Sequence, residues 1–466
     1  MSLQTSGGTG TPAPSAWPEL LNRLRGDTDP VLWRAAAARL RAEPDAAAGL
    51  GARAVSLALL STATTDFYAE LLPVAALKVG IDLALHRFPY GSVEQELIGP
   101  ASTLSAARPD YVSLAGTPAD LALPDPDGDP EAAVQTLVRR WTACWDHIRS
   151  GPGSRILQHT FTVPDEDPYG NLGCRVPGAP EWLTTEVNRE LVRRAGDDVL
   201  ILDCARLAAK NGRDSWFDPR AWAMLRMPVS ARARPVLAAA TAGALAADLG
   251  LTRRCIVVDL DNTLWGGVLG ELGHTGVVLG EAGTGECFRR FQDYLLALRR
   301  RGIVLAVAGK NDAPLVDEAF SRVPGMRLRR EHFAAVVADW RPKSQQIRQI
   351  AGQLRLGLSS LAFADDNPAE CAEVLAALPE VDVIALPPHP AQYVRALTDR
   401  PTLAAAPPNS FDRQRAASYE ALARAEAVRD PAAAMEEFLD SLDMSAAVAR
   451  ATSDDLPRRP ADPAHR

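Results

Sequence analysis

Short runs of consecutive apolar residues alternate with stretches of helical periodicity along most of this chain. Ala54–Leu60, Ile81–His86, Asp110–Leu114, Arg155–Val163 and Val199–Asp203 are such runs. Brief, continuous apolar segments bounded by turn residues predict strands covered on both faces, as in a parallel sheet. Between them, Asp66–Leu77, Pro130–Ser150 and Trp182–Ala195 carry apolar residues at helical spacing, with Pro73 placed to kink or split the first. After an Ala- and Leu-rich helix over 229–250 the alternation resumes. Strands are expected at Ile256–Val258, from Gly302, at Phe333–Val337, from Ser360 and at Val381–Leu386, and helices at Thr284–Arg301, Asp312–Val323 and Ser344–Leu354. Strands alternating with helices imply βαβ units, so the expected class is α/β with two doubly wound domains, over 51–250 and 251–400. Ahead of them, Leu20, Leu21, Leu24, Leu32, Trp33, Ala36 and Leu40 suggest two short amphipathic helices broken near Asp29-Pro30, behind a Gly-, Thr- and Pro-rich mobile leader. Residues 401–466 read as a helical or disordered tail, with helical character at 418–442.

Composition narrows the function classes. Apolar residues make up 47 % of the 466 and charged ones 23 %, ordinary for a globular protein. The net charge of −8, without a long basic run, argues against a nucleic-acid partner. No segment approaches 18 uninterrupted apolar residues, so no membrane span is expected, and the N-terminus lacks the basic-then-apolar order of a secretory signal. The six cysteines are scattered without a CxxC pair, which fits a reducing, cytoplasmic setting better than a zinc ribbon.

Candidate chemistry gathers at predicted strand ends. Asp259 and Asp261 end the strand at 256–258, followed by Asn262 and Thr263 and the glycine pair Gly266 and Gly267. The next edge carries Gly309, Lys310 and Asn311; Lys343 precedes a helix behind Trp340-Arg341-Pro342; and a further edge carries Asp365, Asp366 and Asn367. Carboxylates at the carboxyl edge of a parallel sheet sit where such sheets bind ligands. A carboxylate attacking a phosphate monoester needs the dianion's charge cancelled. Mg²⁺ held by Asp259, the Asp261 carbonyl and Asp365 would supply two positive charges, and Lys343 a third. Asp259 is then the nucleophile, Asp261 the acid/base, and Asp366 the group that orients Lys343 or a water at the metal. In the first domain, Ser61 at the end of strand 1 is a candidate hydrolase nucleophile with only His86, His147 and His159 as local bases; a binding or docking platform is the competing reading. The stretch from Trp216 to Trp222 reads as a packing corner.

The order of these edges resembles the haloacid dehalogenase superfamily. More narrowly, CIVVDLDNTLWGGVLGE (255–271), Lys310-Asn311, Asp339-Trp340-Arg341-Pro342-Lys343 and Phe363-Ala364-Asp365-Asp366-Asn367-Pro368 look like its FkbH-like branch, over about residues 50 to 445. The resemblance implies an SGNH-hydrolase-like or flavodoxin-like first sheet and a Rossmannoid second sheet without a large cap. It implies a Mg²⁺ site that takes in Asp259, Asp261, Asp365 and Asp366, with Asn262, Gly309, Lys310 and Asn311 at the phosphate. It also implies an enzyme of polyketide assembly. Such an enzyme takes 1,3-bisphosphoglycerate, removes phosphate and loads a glyceryl unit onto the phosphopantetheine thiol of an acyl carrier protein. Two other readings compete: a plain Mg²⁺-dependent small-molecule phosphatase, and a catalytically weakened scaffold that binds carrier protein.

Three departures bear on these readings. Gly309 stands where the family has Ser, removing a hydrogen bond to a charged group worth roughly 1.5–3 kcal/mol, so Gly309→Ser is expected to raise turnover. Glu370 is followed by Cys371 rather than Arg, and the third is an expectation, that the protein does without the further C-terminal region of longer relatives. For a protein-bound acyl group, Cys255 is the candidate in the opening strand, ahead of Cys371 and Cys204. The stretches from Asp261 to Thr284 and from Asn311 to Lys343 are too short for a cap domain of roughly 50 residues, so an open site, or one roofed by the first domain, is expected.

Overall fold

Consecutive apolar residues form strands in this protein because both faces of each sheet are covered. A computed structural model describes residues 17–24, 27–98, 102–123, 128–164, 166–398 and 400–405. The expected leader and the helix at 418–442 lie outside the described residues. The chain divides into two compact units, 1–248 and 249–466.

The first unit holds five parallel strands: β1 (Arg53–Ser61), β2 (Ile81–Arg87), β3 (Tyr111–Ala115), β4 (Arg155–His159) and β5 (Val199–Leu202), in the order β2-β1-β3-β4-β5. The direction of winding reverses between β1 and β3, which opens a crevice at their carboxyl ends. One face is packed by Trp141 and Trp145 of the helix Pro130–Ser150 together with Phe161, Leu183 and Val187. The expected helix over 66–77 is two, Asp66–Ala69 and Leu72–Leu77, because Pro73 lacks a donor and is accepted only in a first turn. Strand β4 stops at His159, short of Val163: the Asn188 side chain takes both the N–H (2.8 Å) and the carbonyl (2.8 Å) of Phe161, so no ladder continues there. The two leading helices form at Trp17–Arg23 and Pro30–Ala42, the second capped by the Asp29 side chain on the Val31 amide. The 216–222 stretch contributes the buried Trp216 and an Asp218-capped helix, Pro219–Leu225.

The second unit holds β6 (Cys255–Val258), β7 (Val304–Gly309), β8 (Ala335–Ala338), β9 (Leu361–Asp365) and β10 (Asp382–Ala385), all parallel, in the order β10-β9-β6-β7-β8. Strand side chains alternate between faces. Ile256, Val258, Leu305 and Val307 join one core with Trp265, Phe288 and Phe291. Cys255, Val257, Val304 and Ala306 join another with Ile347, Ile350 and Phe363. Between β6 and the helix Gly283–Arg300 lies only an eight-residue helix, Leu269–Gly276, with a break at Gly273 where φ is 64°. The helix Pro368–Ala377 follows β9, its first turn set by Asn367 as cap and Pro368 behind it.

Candidate active site

Three neighbouring strands of the second unit end in the groups that make the site. The Asp259 amide donates to the Ala364 carbonyl at 3.0 Å, carrying the β6–β9 pairing one residue past the strand and setting Asp259 beside Asp365. From the far side of β6, the loop after β8 delivers Lys343 as the first residue of the helix Lys343–Gln353. Lys343 is 2 % exposed. Its ammonium donates to Asp259, donates to the Ala308 carbonyl at 2.6 Å, and lies 3.3 Å from Asp365 Oδ2. Ligand oxygens of Asp259, Asp365 and Asp366 come within 4.8 Å of one another.

The charges explain what such a cluster wants. Burial pushes the carboxyl of Asp259 upward and Asp365 adds to this, against the pull of Lys343. Burial likewise raises Asp365 and Asp366. For Lys343 burial acts downward, but Asp259 and Asp365 outweigh it and hold the ammonium above its ordinary range. Three carboxylates facing one ammonium leave two uncompensated negative charges, the charge of a divalent cation. Asp365 is fully buried, and its Oδ2 meets the Lys343 ammonium at 3.3 Å without a well-aligned hydrogen bond. A hard, all-oxygen donor set of this kind fits Mg²⁺.

Asp261 takes another part. Its Oδ1 accepts from the Trp265 indole and the Leu269 amide, each at 3.0 Å, and its Oδ2 from Asn311 Nδ2 at 2.8 Å. The carboxylate is thereby held apart from the Asp259, Asp365 and Asp366 cluster, and the metal contact expected of Asp261 remains that of its main-chain carbonyl. Three donors fix its direction, which suits an acid/base group. Asn311, buried, is thereby a positioning group for Asp261. Asp366 accepts from Thr263 Oγ1 at 3.2 Å and lies in the carboxylate cluster; of its two expected roles, this place suits orienting a water at the metal better than orienting Lys343.

The remaining expected residues fall elsewhere. Lys310 pairs with Glu370 at 2.5 Å, in the first turn of the helix after β9. Asn262 adopts a left-handed φ of 55°, which Asn tolerates, and its side chain accepts from the Gly267 amide at 2.8 Å, shaping the loop. Cys255 is sealed: it is 0 % exposed, flanked by Val304 and Leu361, and burial drives its thiol far above the ordinary range. Four strand residues, about 13 Å, separate it from Asp259, so it does not carry an acyl group from this edge. Cys371 is closer, its thiol 3.5 Å from the Asp365 carbonyl, and burial with the neighbouring carboxylates pushes it up to about 12. Sequence reasoning missed Glu370 as the Lys310 partner. It also missed Tyr393, whose hydroxyl donates to the Asn262 carbonyl at 2.9 Å from 131 residues away, a pairing without local signal.

Gly309 reads differently in three dimensions. A Cβ built there would lie 2.6 Å from Leu260 Cδ1 and 3.0 Å from its Cγ, and Leu260 is fully buried. The space a serine would use is already filled. Gly309→Ser is therefore expected to cost about 1–3 kcal/mol in a urea titration and to leave phosphate release no faster. Faster release at an unchanged midpoint would contradict this.

In the first unit, the Ser61 hydroxyl donates to the Ala115 carbonyl at 3.0 Å and meets no histidine. His159 sits instead between Ser113 Oγ (3.0 Å at Nε2) and the Cys204 thiol (3.6 Å at Nδ1), while His86 is half-buried on β2 and His147 exposed on its helix. Ser61 therefore has no histidine base among its hydrogen-bond partners, and the serine that His159 does meet, Ser113, is fully buried in the sheet. Burial pushes His159 down to about 4. The unfolded chain therefore takes up a proton near pH 6.5 that the folded one refuses. Stability is complete above that pH and is lost towards pH 4, by about 3 kcal/mol. Urea midpoints measured from pH 7 to 4.5 should fall more steeply for the wild type than for His159→Gln; equal slopes would contradict this.

Comparison with known proteins adds the following. A family model described as FkbH, N-terminal domain, matches residues 56–246. A crystal structure of the N-terminal part of the protein BF1531 from Bacteroides fragilis, described as containing a phosphatase domain complexed with Mg, superposes with a TM-score of 0.70 at 26 % identity, covering 82 % of this chain and 97 % of that one. The structure of tagatose-6-phosphate ketose/aldose isomerase from Escherichia coli, at 14 % identity over 85 % of this chain and 94 % of its own, has a TM-score of 0.15 and carries no argument. No curated protein matches the sequence.

Proposed function

We propose, from the FkbH N-terminal-domain match over residues 56–246 and the likeness to a Mg-bound phosphatase domain, that this chain is of the FkbH-like branch of the haloacid dehalogenase superfamily and is a Mg²⁺-dependent phosphatase and glyceryltransferase. It takes 1,3-bisphosphoglycerate, removes phosphate and loads the glyceryl unit onto the phosphopantetheine thiol of a cytoplasmic acyl carrier protein. The observation that supports the phosphatase half is the meeting of Asp259, Asp365 and Asp366 beside the buried ammonium of Lys343. The Mg-bound phosphatase domain of the Bacteroides fragilis neighbour agrees with it. The glyceryl half rests on the family premise. No helix among the described residues is long and apolar enough to cross a membrane.

Asp259, Asp365 and Asp366 would hold the Mg²⁺, which when bound supplies positive charge to the phosphoryl oxygens. Asp259 attacks the phosphorus of the C3 phosphate ester; the bond to the C3 oxygen breaks and an aspartyl phosphate forms, while the C1 acyl phosphate is kept for the carrier thiol, which attacks the carbonyl carbon and expels the second phosphate. Asp261, aimed by Trp265, Leu269 and Asn311, gives the leaving oxygen its proton and then takes one from the water that frees phosphate. Lys343 keeps its proton throughout and balances charge as it moves from Asp259 to the phosphoryl group.

The test incubates the protein with Mg²⁺, 1,3-bisphosphoglycerate and holo carrier protein, and follows phosphate release and the carrier's intact mass. A glyceryl adduct is expected, lost in Asp259→Asn. Phosphate release without an adduct would reduce the reading to a phosphatase, and neither product would overturn both halves.

A further inference from the structure

We propose that the first unit carries a second ligand site, a pocket at the carboxyl ends of β1, β3 and β4 that binds a small organic anion through Arg234. The pocket occupies the crevice where the strand order reverses, the place at which open parallel sheets take ligands. Ser61 ends β1, Gly116 follows β3 and His159 ends β4, while Trp216, Met227 and Arg234 reach the same cavity from the chain after β5. The cavity of about 50 Å³ has room for about four waters, so the ligand is a carboxylate or phosphate group on a short carbon skeleton. This inference does not depend on the phosphoryl site of the second unit.

The wall fixes the sign of the ligand. Arg234 is the one charged residue on it, with no Asp or Glu among the lining residues. Its guanidinium donates to the Val229 carbonyl and the Met227 sulfur, each at 3.2 Å, and lies 5.1 Å from the centre of the Phe67 ring; no carboxylate pairs with it among the described residues. Asp218 acts on it only from a distance, its Oδ1 being taken by the amides of Arg220 and Ala221, and Arg34 adds a further positive charge nearby. A half-buried guanidinium is partly desolvated, so an anion that joins it replaces lost hydration with charge pairing.

An independent observation points the same way. Trp216, a residue of the pocket wall, is 2 % exposed and its indole N–H has no acceptor. Buried donors are almost always satisfied, so an orphan in a cavity wall marks a place for an acceptor. Thr64, Thr65 and Thr162 line the same cavity. Phe67, Tyr68 and Leu237 form an apolar side that suits the ligand's carbon atoms.

The experiment is calorimetric titration of the full chain, without Mg²⁺, with inorganic phosphate and separately with lactate. At least one binds, and which one tells whether the site reads a phosphoryl or a carboxylate group. Arg234→Gln is expected to weaken that binding at least tenfold, and Trp216→Phe, which keeps the packing and removes only the donor, several-fold. Binding should persist in Asp259→Asn, which separates it from the phosphoryl site. Absence of binding by both probes, unchanged affinity in both pocket variants, or loss of binding in Asp259→Asn would overturn the proposal. If Arg234→Gln does not fold, Trp216→Phe decides alone.

Discussion

Replacing Lys343 with methionine is expected to slow phosphate release about a thousandfold and to remove about 3–5 kcal/mol of stability in the absence of Mg²⁺. Both effects come from one position. The Lys343 ammonium is buried, and it touches Asp259, the Ala308 carbonyl and Asp365 at once. Methionine fills much the same volume but leaves two buried carboxylates facing each other with no cation between them. The two consequences separate on adding Mg²⁺. A divalent ion can compensate the carboxylates and so restore part of the stability, but it does not replace the ammonium that faces the transferring phosphoryl group. Urea midpoints with and without Mg²⁺, set beside turnover, read the difference. A variant that is stable without Mg²⁺, or that regains turnover with it, would contradict this account.

Asp365→Asn should behave in the opposite sense for stability. Asp365 is 0 % exposed, and burial disfavours its charged form more than the Lys343 ammonium, 3.3 Å from its Oδ2, favours it. Its other oxygen accepts from the Asn367 amide at 2.8 Å, a bond an asparagine carbonyl can keep. Without Mg²⁺ the variant is expected to melt no lower than the wild type. The wild type should gain about 2.7 kcal/mol when Mg²⁺ reaches a hundred times its dissociation constant, and the variant should gain far less. Phosphate release should fall at least a hundredfold, since one of three charges holding the ion is gone. A full Mg²⁺-induced rise in melting temperature in Asp365→Asn would contradict the assignment of this side chain to the metal.

The strands were legible because Ile256, Val257 and Val258 must satisfy two cores at once, so no polar residue interrupts them. That strand ends carry the chemistry was legible too, since parallel strands bring all their carboxyl ends to one edge. What could not be read was packing across that edge. Nothing in the local sequence says that Leu260 fills the space beside Gly309, or that Lys310 turns to Glu370, 60 residues on. The helix Pro368–Ala377 did leave a signal, an Asn cap followed by Pro, which the carboxylates before it overshadowed. The helix Leu269–Gly276 left almost none, because Gly270, Gly273 and Gly276 weaken its propensity. In the first unit, hydroxyl-rich Ser61–Thr65 suggested a nucleophile, whereas the histidine that ends β4 turned to Ser113 and Cys204.

The loop that leaves β6 has a consequence for how the protein breathes. Although outside the sheet ladders, its amides are held one by one: Gly266 by the Val278 carbonyl, Gly267 by Asn262 Oδ1 and Leu269 by Asp261 Oδ1. In deuterated buffer these protons should exchange as slowly as those of the neighbouring strands, and Asp261→Ala should release Leu269 first. A turn with the persistence of a strand would keep Asp261, as the proposed acid/base, aimed between turnovers, so the motion that admits substrate would come from other segments.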